Sequence, residues 1–194
     1  MAASIKPVAQ AFIALRAHDP EAVSAIHAAQ RHLPEGAGLT RLRRWRLVEL
    51  RGALPERAEV EDLLHRSTQF YNPSKEKCTV RRHEEDAVPV VPDEQVLLVT
   101  ERGGERRPSA ERWWRHETGE RVEVREGLVW GLTFADGTDA ARAAESLALA
   151  TSRDCGLFAN PHAQSCKLTE GAPPLGWLAG RTGVLRPRRK GRVR

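Results

Sequence analysis

Apolar and polar positions alternate in two rhythms along this chain, and the same succession of rhythms occurs twice. Val8 to Arg16 is a short apolar run of strand type. Asp19-Pro20 follows, pairing a side chain suited to an N-cap with a proline at the first helical position. Ala22, Val23, Ile26, Ala29, Gln30 and Leu33 then mark one face of a helix, which Pro34, Gly36 and Gly38 end. Between Leu39 and Arg51 the alternation is partial, and Arg43-Arg44-Trp45-Arg46 in its middle reads either as a hairpin turn or as a continuous edge strand. Glu56 to Gln69 predicts a second helix with Val60, Leu63, Leu64 and Phe70 inward, and Lys75 to His83 a closing strand.

The linker runs from residue 84 to 94, charged at first and then punctuated by Pro89 and Pro92. Gln95 to Thr100 is a clear strand, and Pro108 opens a helix through Trp113 and Trp114. Val122 to Phe134 alternates more cleanly, with Glu126-Gly127 as a natural two-residue turn. Asp139 to Ser152 is Ala- and Leu-rich and helical, and Gln164 to Leu168 is again a strand. Each half is therefore expected to run strand, helix, two strands, helix, strand. That order predicts an α+β fold, an antiparallel sheet with helices on one face. The bare sheet faces need a cover, and two such units in one chain can cover each other.

A repeated phrase reinforces this division. Phe70-Tyr71-Asn72-Pro73, followed by Cys78, returns 88 residues later (160 − 72) as Phe158-Ala159-Asn160-Pro161, followed by Cys166. A long fixed period divides a chain into units. Proline also excludes the preceding residue from the α region, so each Asn-Pro should stop a helix and turn the chain into a strand. The units are residues 1–83 and 95–170, with a Gly/Pro-rich basic tail at 171–194.

Composition adds limits. At 40% hydrophobic and 29% charged residues the chain is of soluble globular type. No apolar stretch approaches the roughly 20 residues of a membrane helix, and Met1 to Gln10 does not read as a secretory signal. Three cysteines without a Cys-x-x-Cys or His-x-x-x-His spacing point away from zinc and toward a reducing, cytoplasmic compartment. Cys78 and Cys166 read as small, inward, reduced residues of the closing strands. Much of the formal charge of +5 lies between Arg186 and Arg194, a run that can bind nucleic-acid phosphates weakly or simply solubilise the chain.

Val8 to Leu15, Asp19-Pro20, Leu42-Arg43 with Glu49-Leu50, and Leu64 through Asn72-Pro73 to Glu76 together resemble PurS, the small subunit of phosphoribosylformylglycinamidine synthase. The second half repeats the likeness through Val96 to Val99, Val124-Arg125-Glu126-Gly127 and Cys155 to Pro161. The family pattern departs in places. Trp45-Arg46 stands for its Gly-Lys pair, Leu128 for the second Lys, Arg107 for the second Asp before Pro, and Gln164 for the second closing Glu. The resemblance implies two PurS-like units forming a pseudo-dimer within one chain. It also implies a non-catalytic bridge between a large synthetase and a glutaminase, aiding ammonia transfer in purine biosynthesis. The chain itself would hold no cofactor, ATP and glutamine being used by the partner subunits. Carried over residue by residue, partner contacts fall on Arg43, Arg46, Glu49, Asn72, Pro73, Glu76, Arg125, Asn160 and Pro161, with the first copy retaining more of the polar surface.

The residues read by themselves agree with a site lacking chemistry of its own. Gly103-Gly104 has no phosphate-loop context, and no motif frames a Ser or Cys nucleophile. Glu76 and Gln164 are placed to hydrogen-bond the turn amides, and His162 reads as a turn residue. Of Trp113 and Trp114, adjacent on a helix, one is expected in the core and the other at an interface. The arginines around Trp45 leave a second function class open, a basic module for nucleic acid or another phosphorylated partner.

Overall fold

Asp19 starts the first helix as its type suggests, its carboxylate accepting the N–H groups of Glu21 at 2.9 Å and Ala22 at 3.4 Å. The computed structural model describes residues 7–102, 105–152, 155–178 and 184–185. Gly103-Gly104 and the basic run from Arg186 to Arg194 lie outside the described residues. The first half comprises β1 (Val8–Leu15), α1 (Pro20–His32), a 3-10 turn (Pro34–Gly38), β2 (Leu39–Gly52), α2 (Arg57–His65) and β3 (Glu76–Arg81). The second comprises β4 (Gln95–Glu101), α3 (Pro108–Thr118), β5 (Val122–Phe134), α4 (Ala140–Ala148) and β6 (Gln164–Glu170), with the two-residue β7 (Val184–Leu185) after it.

The fold is α+β, and one antiparallel sheet takes all the strands in the order β3-β1-β2-β5-β4-β6-β7. Two expectations are corrected. Each half contains three long strands, since Leu39–Gly52 and Val122–Phe134 each run straight through as a single strand with no hairpin at Arg43–Arg46 or Glu126-Gly127. β2 is also central rather than an edge, pairing with β1 on one side and β5 on the other. From Arg41↔Thr133 to Gly52↔Val122 the β2–β5 register is unbroken, so every interior backbone group on this seam is satisfied by ladder bonds. The halves thus join edge to edge into one sheet, instead of covering each other face to face.

The helical face carries two cores, and each draws on both halves. Val60, Leu63 and Leu64 of α2 share one with Ala110 and Trp114 of α3, over Ile13, Val48, Leu50, Val80 and Val124. Ala22 and Ala29 of α1 share the other with Ala144, Leu147 and Ala148 of α4, over Leu97, Val99, Trp130 and Cys166. The opposite face of the sheet, with Phe12, Leu47, Val96, Leu98 and Val129, is covered by Val88 and Val90 of the linker and by Trp177 and Leu178. The start of the Gly/Pro-rich segment is therefore packed, Trp177 and Leu178 being buried. No helix among the described residues is long and apolar enough to cross a membrane.

Candidate functional site

The two Asn-Pro turns have the same hydrogen-bond wiring. Asn72 N–H donates to Glu76 Oε2 at 2.7 Å, and Asn160 N–H to Gln164 Oε1 at 2.9 Å. The Asn72 side chain accepts from Ser74 N–H at 3.0 Å, and that of Asn160 from His162 N–H at 2.9 Å. The Asn72 and Asn160 carbonyls accept from the N–H groups of Glu76 at 2.8 Å and Gln164 at 2.7 Å. These are Asx turns, in which the short side chain takes over a backbone acceptor's role. Glu76 and Gln164 do bond the turn amides, and His162 is an exposed turn residue.

Both turns open onto one cleft of about 500 Å³, centred on the helical face over the β2–β5 seam. Arg46 spans it. Its guanidinium donates to the Phe70 carbonyl at 2.7 Å and to Glu76 at 3.2 Å, and lies 3.6 Å from Glu126 of β5. Across the seam Arg46 faces Leu128, so the second half offers no cation there, and Gln164 instead donates to Glu101 at 2.6 Å. At the two ends of the cleft lie the first turns of α1 and α3. Asp19 caps α1 and accepts from Arg44 Nε at 2.7 Å; Arg107 occupies the cap position of α3 and donates to Glu126. Arg44 and Glu126 each sit two residues before the Arg46↔Leu128 pair, so the two contacts occupy matching places with opposite charge. The arginines of the cleft, Arg44, Arg46 and Arg107, are thereby engaged by carboxylates, and with Asp19, Glu76, Glu101 and Glu126 its lining carries one more acid than base in a hydrogen-bonded wall.

Of the residues expected to contact partners, the structure brings Arg46 and Glu76 together in the cleft, with Asn72 and Asn160 exposed on its flanking turns and Pro73 and Pro161 beside them. Arg43, Glu49 and Arg125 lie on the other face of the sheet. Arg43 is bound to the fully buried Glu94 and stacks 4.7 Å from the Trp45 ring centroid. Reversing its charge would break a buried pair inside the molecule, not a surface contact. Glu49, 2% exposed, accepts from Gln10 at 2.8 Å and from the Leu178 N–H at 3.1 Å. Burial pushes its carboxyl above the ordinary value of 4.5, opposed by those two hydrogen bonds and by the charges of Arg51 and Lys167. Arg125 faces Glu49 across the seam and is bound by Glu123.

The alternation was readable here but its phase was not. Arg44 and Arg46 share a face, while Arg43, Trp45 and Glu49 share the other, because a single strand carries them all. The unforeseen members of the cleft, Asp19, Arg44, Arg107 and Glu126, fall at helix starts and two positions from the seam centre. A further set of buried polar groups on the covered face also escaped the sequence. Gln10 donates to the Pro174 carbonyl at 2.8 Å, Arg81 to Pro173, and Lys167 to Trp177, so sheet side chains fasten residues 173–178 by their backbone.

The cysteines are unpaired. Burial pushes the Cys78 thiol up to about 12 and the Cys166 thiol up to about 11, far from thiolate at neutral pH. Cys166 is buried, whereas Cys78 is only partly so. Trp114 is fully buried and Trp113 packs at the core's margin, edge-on to Phe70 at 5.5 Å. Among the described residues no group of three or more His, Cys, Asp and Glu is placed to hold a metal ion. Comparison with protein-family models, with curated proteins and with solved structures finds no match.

Proposed function

We propose that the chain is a tandem pseudo-dimer of two PurS-like units that serves as a non-catalytic bridge within a cytoplasmic amidotransferase complex of purine synthesis. It would link a large ATP-dependent synthetase to a glutaminase. The observation that carries this reading is the repeated contact at the helix starts, Asp19 with Arg44 and Arg107 with Glu126. A pair that keeps its place while exchanging its charges is what divergence of a duplicated unit would leave. The identical wiring of the Asn72 and Asn160 turns supports it, as does the matching order β-α-β-α-β on either side of the seam.

In this reading the central cleft is a docking surface. A partner's polar side chains would exchange into the ion pairs of Arg46, Glu76 and Glu126 without leaving a charge unpaired. The two turns at its rim would supply the exposed asparagines that a partner reaches first. The test is reconstitution with a synthetase and a glutaminase, measuring glutamine-dependent amidation of formylglycinamide ribonucleotide with and without this chain. Co-elution as a stable complex and a rate that requires the chain are expected. Equal rates in both mixtures, given folded protein, would remove the bridging role.

A further inference from the structure

Away from the cleft, at the end of the seam where Gly52 faces Val122, a second cavity of about 500 Å³ is lined by five arginines and two glutamates. We propose that it is a binding site for a compact ligand carrying two or more phosphate groups. The inference is independent of the bridging role.

The glutamates do not neutralise it. Glu111 is held by Arg106 through contacts of 2.7, 2.9 and 3.0 Å and also accepts the Val124 N–H at 3.1 Å. Glu123 is bound by Arg125. That leaves Arg51, Arg112, Arg115 and Arg121 on the lining with no acidic partner within ion-pair distance among the described residues. Arg112 and Arg115 stand three apart on α3 and so project from one side of the helix. Arg121 follows the helix's left-handed Gly119 cap, and Arg51 comes from the end of β2 beneath Gly176. Three separate elements thus place four arginines on the lining of one concavity, Arg112, Arg115 and Arg121 from α3 and the loop after it and Arg51 from β2 with its guanidinium against Gly176. Like charges gathered in this way repel one another unless an anion lies between them.

The chemistry of the ligand follows from the lining. Guanidinium groups match phosphate oxygens in paired, planar hydrogen bonds. Two phosphates, each carrying about −1.5 to −2 charge at neutral pH, balance four arginines. The volume is that of a small-ligand pocket. No aromatic side chain lines it, so it lacks the stacking platforms by which single-stranded nucleic acid is held.

The experiment is calorimetric titration of the full chain with inorganic tripolyphosphate at low salt, with orthophosphate and a single-stranded DNA oligomer as comparators. Saturable binding near one to one is expected for tripolyphosphate, and much weaker binding for orthophosphate. The double variant R112Q/R115Q should lose roughly tenfold or more in affinity. The variant R31Q/R41Q, which removes the same charge from exposed positions elsewhere, should bind within about twofold of the native chain. Equal losses in the two double variants, undiminished binding by R112Q/R115Q, or absence of saturable heat would each overturn the site. Tighter, variant-sensitive binding of the DNA oligomer would overturn the compact ligand. Should R112Q/R115Q lose its native circular dichroism, R121Q on the following loop replaces it, with a weakening of about threefold expected and unchanged affinity overturning the proposal.

Discussion

Asp19 and Arg107 occupy the same place in the fold with opposite charge. Each stands at the cap of a helix whose first residue is proline, and each reaches a central strand two residues before the Arg46↔Leu128 pair, meeting Arg44 and Glu126 respectively. Only Asp19 also caps its helix through its side chain, because an arginine has no acceptor to offer the first-turn amides.

The first prediction uses that inversion. Asp19→Arg should cost about 1–2 kcal/mol, combining lost cap and lost pair. Arg44→Glu alone should cost about 1 kcal/mol. Arg44 also binds Glu21, where the second half has Ser109, so it is the triple variant D19R/E21S/R44E that copies the second half's arrangement. D19R/R44E, measured against the sum of its singles, should recover about 0.5–1 kcal/mol from the reversed pair. Urea denaturation of the native chain, the two singles and D19R/R44E measures the coupling; additive losses would show that the pair is energetically idle.

Glu76 and Gln164 give the second. Because Gln164 closes its turn with an amide oxygen, Glu76→Gln should keep the Asn72 turn and lose only the charge facing Arg46, a change within about 1 kcal/mol. Glu76→Ala should cost about 1 kcal/mol more, since the exposed Asn72 N–H then exchanges its side-chain acceptor for water and the turn loses a closing hydrogen bond. The order of the two midpoints in denaturant is the readout.

Much of the fold could be read from single residues. Asp19-Pro20 announced α1, and Asn72-Pro73 and Asn160-Pro161 announced the turns into β3 and β6, because proline and short polar side chains constrain the backbone locally. The two Asn-Pro pairs do not stop helices as expected, since α2 already ends at His65 and α4 at Ala148. What could not be read depended on neighbours distant in sequence. Gly127 looked like a turn, yet it is a strand residue over which Leu98 and Leu178 press; a Cβ there would come within 2.8 Å of both. Arg43 to Arg46 looked like a break in alternation, but their charges are absorbed on alternate faces, Arg44 and Arg46 by Asp19 and Glu76 and Arg43 by Glu94. Glu49 and Arg125 were expected on a partner surface, and the packing of Trp177 and Leu178 over that face put Glu49 inside.

The cysteines supply the third prediction. With its thiol raised to about 11 and its side chain buried, Cys166 should react with a neutral-pH thiol reagent only on unfolding; Cys78, partly buried and raised to about 12, should react slowly. Cys166→Ala should lower stability by about 1 kcal/mol through lost packing. Rapid stoichiometric labelling of Cys166 in the native protein would contradict its placement.

Glu49 makes stability depend on pH with a defined sign. Its carboxyl is raised in the folded protein by burial, so folding takes up a proton relative to the unfolded chain. Its contribution is fully present below the ordinary value of 4.5 and is lost as pH rises through the folded value. Carboxylates lowered by hydrogen bonds, such as Asp86, slope the other way. The difference between native protein and Glu49→Gln isolates the term: the gap in unfolding free energy should move in the variant's favour as pH is raised from about 4 to 7. A gap constant with pH would place Glu49 in a more solvated setting than the sheet face shows.

The last prediction concerns cooperativity. Trp114, contributed by the second half, is fully buried among Val60, Leu64 and Phe70 of the first. Neither half can therefore close its helical face alone, and the two should unfold in one transition despite the linker between them. Trp114→Ala should cost about 3–5 kcal/mol and lower the whole transition instead of splitting it. Trp114→Phe should be far milder, within about 1.5 kcal/mol. The indole N–H of Trp114 has no acceptor among the described residues, so removing it relieves a buried unsatisfied donor while keeping an aromatic ring against Phe70. Chemical denaturation followed both by tryptophan fluorescence and by far-ultraviolet circular dichroism distinguishes the outcomes. Coincident curves for all three proteins are expected, and a two-step curve for Trp114→Ala would mean that the first-half core stands without the second.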